Sequence, residues 1–293
     1  MKVLLTIFLK FLSFLPFKFQ MFLGGLIGRF LFVVLKKRKN VAKCNLQKCF
    51  PHFNENEIHK ISKKNFIRLG QAVFEITNSY FQSDNKFKKK IKNISKFKAK
   101  IALIKDSKNL LLFPHTSNID FVARLPSLFM EVNGMQKSAK NKLWDEVMTE
   151  GRKKFVKDLF LPNEARKLLK ALNKGEAVLY APDQDYGKNS IFVDFFKHKA
   201  YTVVFPSTLV KRTKCKVFLL TAAKTQDGYL ADLIELNLKG KNIEDDLRAI
   251  NSAIEDFALE NISEYFWIHR RFKNRPEGER NFYPDEALSE RWL

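Results

Sequence analysis

The spacing of apolar residues predicts amphipathic helices that alternate with short buried strands. Over Asn54–Phe81, apolar residues recur every three or four positions, which predicts a long helix. Its first residues, an Asn followed three positions later by a Glu, are typical of a helix N-terminus. Further helices are predicted over Asn163–Asn173, which Gly175 would end, and over Asn242–Leu259.

Short apolar runs predict five strands, at Leu110–Phe113, Ala177–Tyr180, Tyr201–Phe205, Val217–Thr221 and Tyr229–Leu236. The first two runs end at a proline and a polar loop, and a helix is predicted to begin near Asn118. The lysine-rich segment Asp84–Lys108 fits either a surface helix or a strand with a basic face. Strands that alternate with helices predict an α/β fold with a mixed sheet flanked by helices.

The first 43 residues contain nine basic residues and no acidic residue. They hold two apolar stretches, Val3–Phe17 and Phe19–Leu35, which charged residues and a proline interrupt before 20 apolar residues accumulate. A basic cluster follows at Lys36–Lys39, and there is no small-x-small cleavage site. The pattern favours an N-terminal hydrophobic membrane anchor with the rest of the chain cytoplasmic. A span, an in-plane anchor and a buried helix of a soluble fold stay open.

We therefore expect a membrane anchor with its basic flank over residues 1–43 and a single α/β domain over residues 44–293. The net charge is +22, from 53 Lys+Arg and 31 Asp+Glu, which fits nucleic acid, an anionic membrane surface or an acidic protein as a partner. Cys44, Cys49 and Cys215 form no disulfide framework, and Cys44 and Cys49 lack the nearby partners of a zinc site.

The first motif with a chemical function is His115-x4-Asp120, which directly follows the predicted strand Leu110–Phe113. Open α/β sheets place their chemistry at this edge. An imidazole can accept a proton from a hydroxyl, and a carboxylate on its other nitrogen would fix its tautomer. The alternative is a polar loop that caps the following helix.

The second motif is Gly175–Gly187, in which a predicted strand ends in Asp183-Gln-Asp185. Two carboxylates one residue apart fit a metal-binding Asp-x-Asp, a polar edge that orients a substrate, or a β-turn. The third motif, Trp267–Gly278, places four cations within residues 270–275, between aromatic residues. Arginines in this pattern suit phosphate or nucleic acid, and a solvated basic tail is the alternative.

Taken together, these motifs resemble the late acyltransferases of lipid A biosynthesis, a group within the lysophospholipid acyltransferase superfamily. The resemblance covers nearly the whole chain, from the N-terminal anchor to the Trp267–Gly278 block. The His115-x4-Asp120 motif is shared across that superfamily, whereas the other two blocks are more specific. Gln184 stands where the family usually carries His.

This resemblance implies an enzyme that moves a fatty acyl chain from acyl carrier protein to a hydroxyl of a lipid A precursor. His115 would be the general base and Asp120 its orienting partner, with direct attack of the hydroxyl on the thioester. Asp183 and Asp185 would shape the site, with no metal and no other cofactor. The enzyme would act at the cytoplasmic face of the bacterial inner membrane.

The resemblance also implies roles for four arginines. Arg152 would contact an acidic group of the acceptor, and Arg270, Arg271 and Arg275 would meet acceptor phosphates or anionic lipid. The basic surface suits both the acidic acyl carrier protein and anionic phospholipid. We therefore expect acyl carrier protein, a lipid A precursor and an anionic membrane as partners, and no nucleic acid.

Three alternatives stay open at this point. The first is an acyltransferase of the same superfamily with another glycolipid or an amino-acid lipid as acceptor. The second is a membrane glycosyltransferase in which Asp183 and Asp185 hold a metal, so that a chelator removes activity and His115 is dispensable. The third is a non-enzymatic basic protein that binds nucleic acid or membrane.

Overall fold

Six strands form one sheet in the computed structural model, which describes residues 1–288 of the chain. The strands of this sheet and of a separate β-hairpin, in chain order, are β1 (Asn109–Leu112), β2 (Val132–Met135), β3 (Leu159–Phe160), β4 (Ala177–Tyr180), β5 (Ser190–Phe195), β6 (His198–Val203), β7 (Lys216–Lys224) and β8 (Tyr229–Leu236). The helices are α1 (Lys2–Leu12), α2 (Phe17–Val34), α3 (Lys36–Cys49), α4 (Glu55–Phe81), α5 (Asp84–Lys88), α6 (Ile94–Ile104), α7 (Ile119–Arg124), α8 (Lys142–Arg152), α9 (Ala165–Asn173), α10 (Phe205–Thr213), α11 (Ile243–Glu260) and α12 (Asp285–Leu288).

The strand order of the sheet is β3-β2-β4-β1-β7-β8. The first five strands are parallel to their neighbours, and β8 runs antiparallel to β7. Strands β5 and β6 form the separate antiparallel hairpin. The sequence prediction of a mixed sheet flanked by helices is therefore confirmed.

Both faces of the sheet are buried, which explains why its central strands are continuous apolar runs. Along β1, Leu110 and Leu112 pack into one core, and Leu111 packs into a second core on the other face. Side chains that alternate across a strand produce this division. Helix α11 contributes Ile250 and Ile254 to the first core, as its apolar spacing predicts.

Several predicted elements are confirmed almost to the residue. Helix α4 begins after Asn54, whose side chain accepts a hydrogen bond from the backbone of Glu57 while Glu57 binds the backbone of Asn54. Strand β4 matches the predicted bounds, and α9 is followed by Gly175 at φ +87°. Helix α3 runs across the boundary expected after residue 43.

Other elements differ from the sequence predictions. The strand expected over Tyr201–Phe205 ends at Val203, and Phe205 instead begins α10, where Pro206 lies in the first turn. The lysine-rich segment 84–108 forms helices α5 and α6 rather than a strand. Strands β2 and β3 have four and two residues, too few for a hydrophobic pattern to reveal.

Helix α2 packs closely against α4 because three glycines lie where the helices meet. A Cβ atom on Gly28 would stand 2.3 Å from the carbonyl oxygen of Phe66, and one on Gly70 would stand 2.2 Å from the carbonyl oxygen of Gly24. Only residues without a side chain allow backbones to approach this closely. The N-terminal helices are therefore packed against the α/β domain.

Replacing Gly28 with Ala is expected to lower the free energy of unfolding by about 1–3 kcal/mol or more, because the new methyl group forces backbones apart. Gly25→Ala is the matched control in the same helix. Its Cβ would meet its nearest neighbour, Arg29, at 3.5 Å, and alanine favours helix over glycine by about 1 kcal/mol. Thermal unfolding in detergent checks this, and equal midpoints for the two variants would contradict the packing.

The outer side of the N-terminal helices is apolar and exposed. Thirteen of the 21 exposed large hydrophobic side chains of the described residues lie between Val3 and Val34, a concentration that soluble surfaces rarely show. Among the described helices, Phe17–Val34 alone has the length and apolar composition that a membrane crossing needs, and 28% of it is buried.

Candidate active site

His115 and Asp183 meet at the carboxyl edge of the sheet. Strands β1 and β4 are parallel neighbours in which Leu112 pairs with Tyr180. His115 lies three residues after Leu112, and Asp183 lies three residues after Tyr180. A proline directly precedes each of them. Because the carboxyl ends of adjacent parallel strands lie side by side, the two loops bring these side chains together.

The carboxylate of Asp183 holds His115 at two points. His115 Nδ1 lies 2.6 Å from Asp183 Oδ1, and the backbone N–H of His115 donates to Asp183 Oδ2 at 2.9 Å. Burial alone would raise the pKa of Asp183, but contacts with His115 and the charge of Arg271 outweigh it and lower that pKa. An ionised Asp183 keeps the proton of the neutral ring on Nδ1, so Nε2 remains the basic nitrogen.

Asp120 forms no hydrogen bond or ion pair with His115, which corrects the expected pairing. The hydroxyl of Tyr80 donates to Asp120 Oδ1 at 2.9 Å. Arg152 donates to the same carboxylate from Nε at 2.7 Å and from Nη2 at 3.1 Å. Asp120 lies in the first turn of α7, between α4 and α8, and these three hydrogen bonds hold its carboxylate there.

Arg152 therefore lies within the protein as half of a bidentate ion pair. Burial lowers the pKa of Arg152, and the carboxylate of Asp120 raises it by more, so the net shift is upward. Its Nη1 donates to the side-chain oxygen of Gln136 at 3.0 Å. These contacts use three of the five N–H donors of the guanidinium and fix its plane.

Asp185 connects the loop after β4 to a segment near the C-terminus. It accepts hydrogen bonds from the backbone and side-chain nitrogens of Asn274, at 2.8 and 2.6 Å, and from the backbone of Gly187 at 3.2 Å. Asp183 and Asp185 thus have separate partners. Within residues 1–288, no group of three or more His, Cys, Asp and Glu side chains is placed to hold a metal ion.

Two of the three C-terminal arginines predicted to meet phosphate have partners inside the fold. Arg271 is 2% exposed and donates to the carbonyl of Tyr201 and the hydroxyl of Thr202, at 2.8 and 2.7 Å. Arg275 donates to the carbonyl of Lys199 and pairs with Glu279. These contacts indicate that both arginines hold the C-terminal segment on strand β6, which corrects the phosphate assignment for them.

Arg270 differs from its two neighbours. It is half-buried and has no hydrogen-bond or ion-pair partner within the described residues. Burial and the charge of Arg270 lower the pKa of nearby Arg38, so two cations face each other there. Contact between Arg270 and an anionic lipid or an acceptor phosphate stays a prediction.

The sequence interpretation missed several residues of the site. Tyr80 binds Asp120 from the last turn of α4, where its helical spacing had indicated only a core residue. Tyr265 and His269 pack near Asp183 and line a small cavity with His115. Burial and the neighbouring His115 lower the pKa of His269 to about 3, so it stays neutral. The position of His269 within the third motif was the sequence signal that could have identified it.

A cavity of about 840 Å³ opens beside this constellation. His115, Asp120 and Arg152 line it, and much of the rest of its wall is apolar, including Phe113, Ile119, Met135, Val156, Leu179 and Phe205. A volume in the range of ligand sites, with a few convergent polar groups, is typical of a small-molecule or lipid-chain pocket.

Comparison with known proteins assigns a family to this arrangement. Residues 1–274 match the family described as bacterial lipid A biosynthesis acyltransferase. The lipid A biosynthesis palmitoleoyltransferase of Escherichia coli K12 is 31% identical over 275 residues, which cover 92% of this chain and 90% of that protein. The lipid A biosynthesis lauroyltransferase of the same strain is 28% identical, over 90% of this chain and 88% of that protein.

A relative from Haemophilus influenzae Rd, a lipid A biosynthesis acyltransferase, is 31% identical over 276 residues, covering 90% of this chain and 87% of that protein. The similarity therefore extends through the sheet, both strand-end loops and the N-terminal helices. The family match covers nearly the whole chain and the relatives agree with it, so this protein belongs to the bacterial lipid A biosynthesis acyltransferase family.

Proposed function

We propose that the protein transfers a fatty acyl chain from acyl carrier protein to a hydroxyl of a lipid A precursor, with His115 as general base. The observation that supports this most directly is that His115, which is hydrogen-bonded to Asp183, lies on the wall of a large apolar cavity. An acyl-transfer site needs a base beside a space for an apolar chain, and this cavity offers both.

In the proposed reaction, Nε2 of His115 takes the proton of the acceptor hydroxyl while its oxygen bonds to the thioester carbonyl carbon. The imidazolium that forms is stabilised by Asp183 on Nδ1. The tetrahedral intermediate then collapses, the carbon–sulfur bond breaks, and the leaving thiolate takes the proton from His115. The products are an ester and the free thiol of the carrier.

The oxyanion of that intermediate needs a donor or a cation, and Arg152 is our candidate. It lines the same cavity as His115, keeps donors beyond those bound to Asp120 and Gln136, and its raised pKa keeps it charged. In this assignment Asp120 is a positioning residue that acts through Arg152. Contact of Arg152 with an acidic group of the acceptor is the other role that we predict for it.

The cysteines do not suit a covalent mechanism. Cys44 and Cys215 are buried, and burial raises the pKa of both thiols. Burial also raises the pKa of Cys49. Because the thiolate is the nucleophile, these residues are poor candidates for an acyl-enzyme, which favours direct attack of the acceptor.

The exposed apolar side chains of α1 and α2 support the proposed membrane association. Because α2 packs along α4, and α4 in turn contacts α7 and α8 of the domain, we propose that the two helices lie in the membrane plane. The basic residues of this segment then face anionic headgroups at the cytoplasmic face of the bacterial inner membrane. We retain the proposal of an anchor over residues 1–43 and a catalytic domain over residues 44–293.

Phe11→Glu is expected to weaken binding to phospholipid vesicles about tenfold or more, since burial of a Phe side chain contributes about 1.5–3 kcal/mol. Phe11 is 62% exposed on α1. Leu103→Glu, at an 85% exposed site on α6, is the control that should bind as the wild type does. Flotation with vesicles measures both, and equal binding of all three proteins would overturn the proposed anchor.

The proposed reaction is tested by incubating the purified protein with acyl carrier protein thioesters of several chain lengths and a tetra-acylated lipid A precursor. We expect the mass of the acceptor to rise by one acyl chain, with or without EDTA. Loss of transfer with EDTA would favour the metal-dependent alternative. No transfer by well-folded protein would contradict the proposed donor or acceptor.

A further inference from the structure

A second cavity, of about 820 Å³, lies between α1, the end of α4 and the segments that follow α7 and α8. Phe155 and Val156 line both this cavity and the catalytic one, so the two share a wall. The rest of its lining is rich in polar side chains, which include Thr6, Lys10, Arg124, Ser127, Lys154 and Lys157. None of these has a role in the reaction described above.

The acidic residues that line this cavity are already matched by two of its cations. Asp84 accepts from Arg124 at 2.6 Å. Glu131 pairs with Lys157 at 3.4 Å. The two remaining cations of the lining are Lys10 and Lys154. Both acidic residues of the lining are therefore already paired with other cations.

Lys154 has few partners of its own. Its ammonium group donates to the carbonyl oxygen of Tyr80 at 3.2 Å and lies 4.3 Å from the centre of the Phe81 ring. Within the described residues, two of its three protons have no hydrogen-bond acceptor. The nearby carboxylate of Glu150 is bonded to Lys2 at 2.5 Å. Burial, and then the charge of Lys10, lower the pKa of Lys154, so the two lysines repel each other.

An anion between the two lysines would remove this repulsion and accept their free donors. A phosphate monoester fits best, because it carries nearly two negative charges and three acceptor oxygens. Lys10 also lies on α1, whose exposed Ile7, Phe8 and Phe11 are proposed to contact the membrane. In that proposed arrangement, the cavity lies near the headgroups of membrane lipids.

We propose that this second cavity binds the phosphate group of a membrane lipid through Lys10 and Lys154. Two lipids carry such a monoester, the phosphorylated acceptor and phosphatidic acid in the surrounding membrane. The wall shared with the catalytic cavity favours the acceptor, because a phosphate held here keeps the rest of the same molecule beside His115. That assignment rests on the proposed reaction, whereas the phosphate site itself rests on the lining of the cavity and on the proposed contact of α1 with the membrane.

The test compares the double variant Lys10→Gln/Lys154→Gln with the control double variant Lys18→Gln/Lys153→Gln. All four lysines are exposed, and the control removes the same charge from two that lie in neighbouring segments and do not line the cavity. One arm measures KM and kcat with the phosphorylated acceptor and with the acceptor from which phosphate has been removed. The other arm measures binding to phosphatidylcholine vesicles with and without phosphatidic acid, which needs no catalysis.

If the acceptor phosphate occupies the site, KM for the phosphorylated acceptor rises about tenfold in the cavity variant, with kcat close to that of the control. Tenfold corresponds to about 1.4 kcal/mol, near the low end for hydrogen bonds to charged groups. With the dephosphorylated acceptor the two variants then have the same KM. If membrane phospholipid occupies it, the cavity variant instead loses binding to phosphatidic acid about tenfold while KM stays equal.

Equal KM values and equal vesicle binding for the two double variants would overturn the proposal. If the wild type transfers no acyl chain at all, the proposed function fails. The vesicle arm then decides the phosphate site alone, because a loss of binding specific to phosphatidic acid supports it and unchanged binding overturns it.

Discussion

His115→Ala is expected to reduce kcat by at least about a hundredfold, the low end of the effect of removing a general base. The side chain is positioned by two contacts with Asp183 and lines the apolar cavity, so the variant loses the proton acceptor but keeps the chain-binding surface. KM for the acyl donor should therefore change little. Steady-state kinetics with the acyl carrier protein thioester and the lipid A precursor measure both parameters.

His59→Ala provides the control, because His59 is exposed on α4 and does not line the catalytic cavity. It should keep wild-type kinetics. A His115→Ala protein that is folded and as active as the His59→Ala protein would rule out His115 as the base.

Asp183→Asn is expected to reduce kcat by about a thousandfold or more. An amide cannot stabilise the imidazolium, and its N–H group, placed opposite Nδ1, would favour the tautomer that carries the proton on Nε2. The substitution is isosteric and can still accept the backbone hydrogen bond of His115, so the fold should persist. The effect should appear in kcat rather than in KM.

Asp120→Asn gives a contrasting result, because Asp120 neutralises Arg152 rather than orienting His115. Removing one charge of a buried pair costs about 3–5 kcal/mol, so this variant should lose thermal stability. The Asp183→Asn variant should unfold at a higher temperature than the Asp120→Asn variant. A folded Asp183→Asn protein with wild-type kcat would contradict the assignment of Asp183.

The sequence predicted the long elements because their patterns are strong and local. The capped helix α4 and the amphipathic helix α11 bury one face each, so their apolar spacing was sufficient. Strands β2 and β3 were not predicted because they are short. The first residue of α10 was predicted as the end of a strand because it continues an apolar run. The length of an element, more than its composition, decided whether it could be predicted from the sequence.

The candidate site was predicted in its residues but not in its pairing. His115, Asp120 and Asp183 were all named, yet the partner of His115 depends on β1 lying next to β4 in a particular register. A register between strands about 70 residues apart is a tertiary property, and spacing along the chain favoured Asp120 instead. The matching prolines before His115 and Asp183 were the available hint.

The arginines near the C-terminus show a similar limit. Arg271 and Arg275 form a basic motif in the sequence, but each donates a hydrogen bond to a backbone carbonyl of β6, and Arg271 is buried. Charge density in a sequence does not reveal which cations find partners inside the fold.

The second cavity makes the same point, because Lys10 and Lys154 are separated by 143 residues of sequence and belong to no motif.

The central claim is that the His115–Asp183 pair activates the acceptor hydroxyl for direct attack on the acyl thioester. A rapid-quench time course tests it most directly, with intact-protein and lipid mass spectrometry on the same samples. We predict that acylated acceptor forms only when donor and acceptor are both present, that the protein never gains the mass of an acyl chain, and that Asp183→Asn slows product formation. An acyl chain on the protein that appears before the acceptor is added, and passes to it afterwards, would contradict the account.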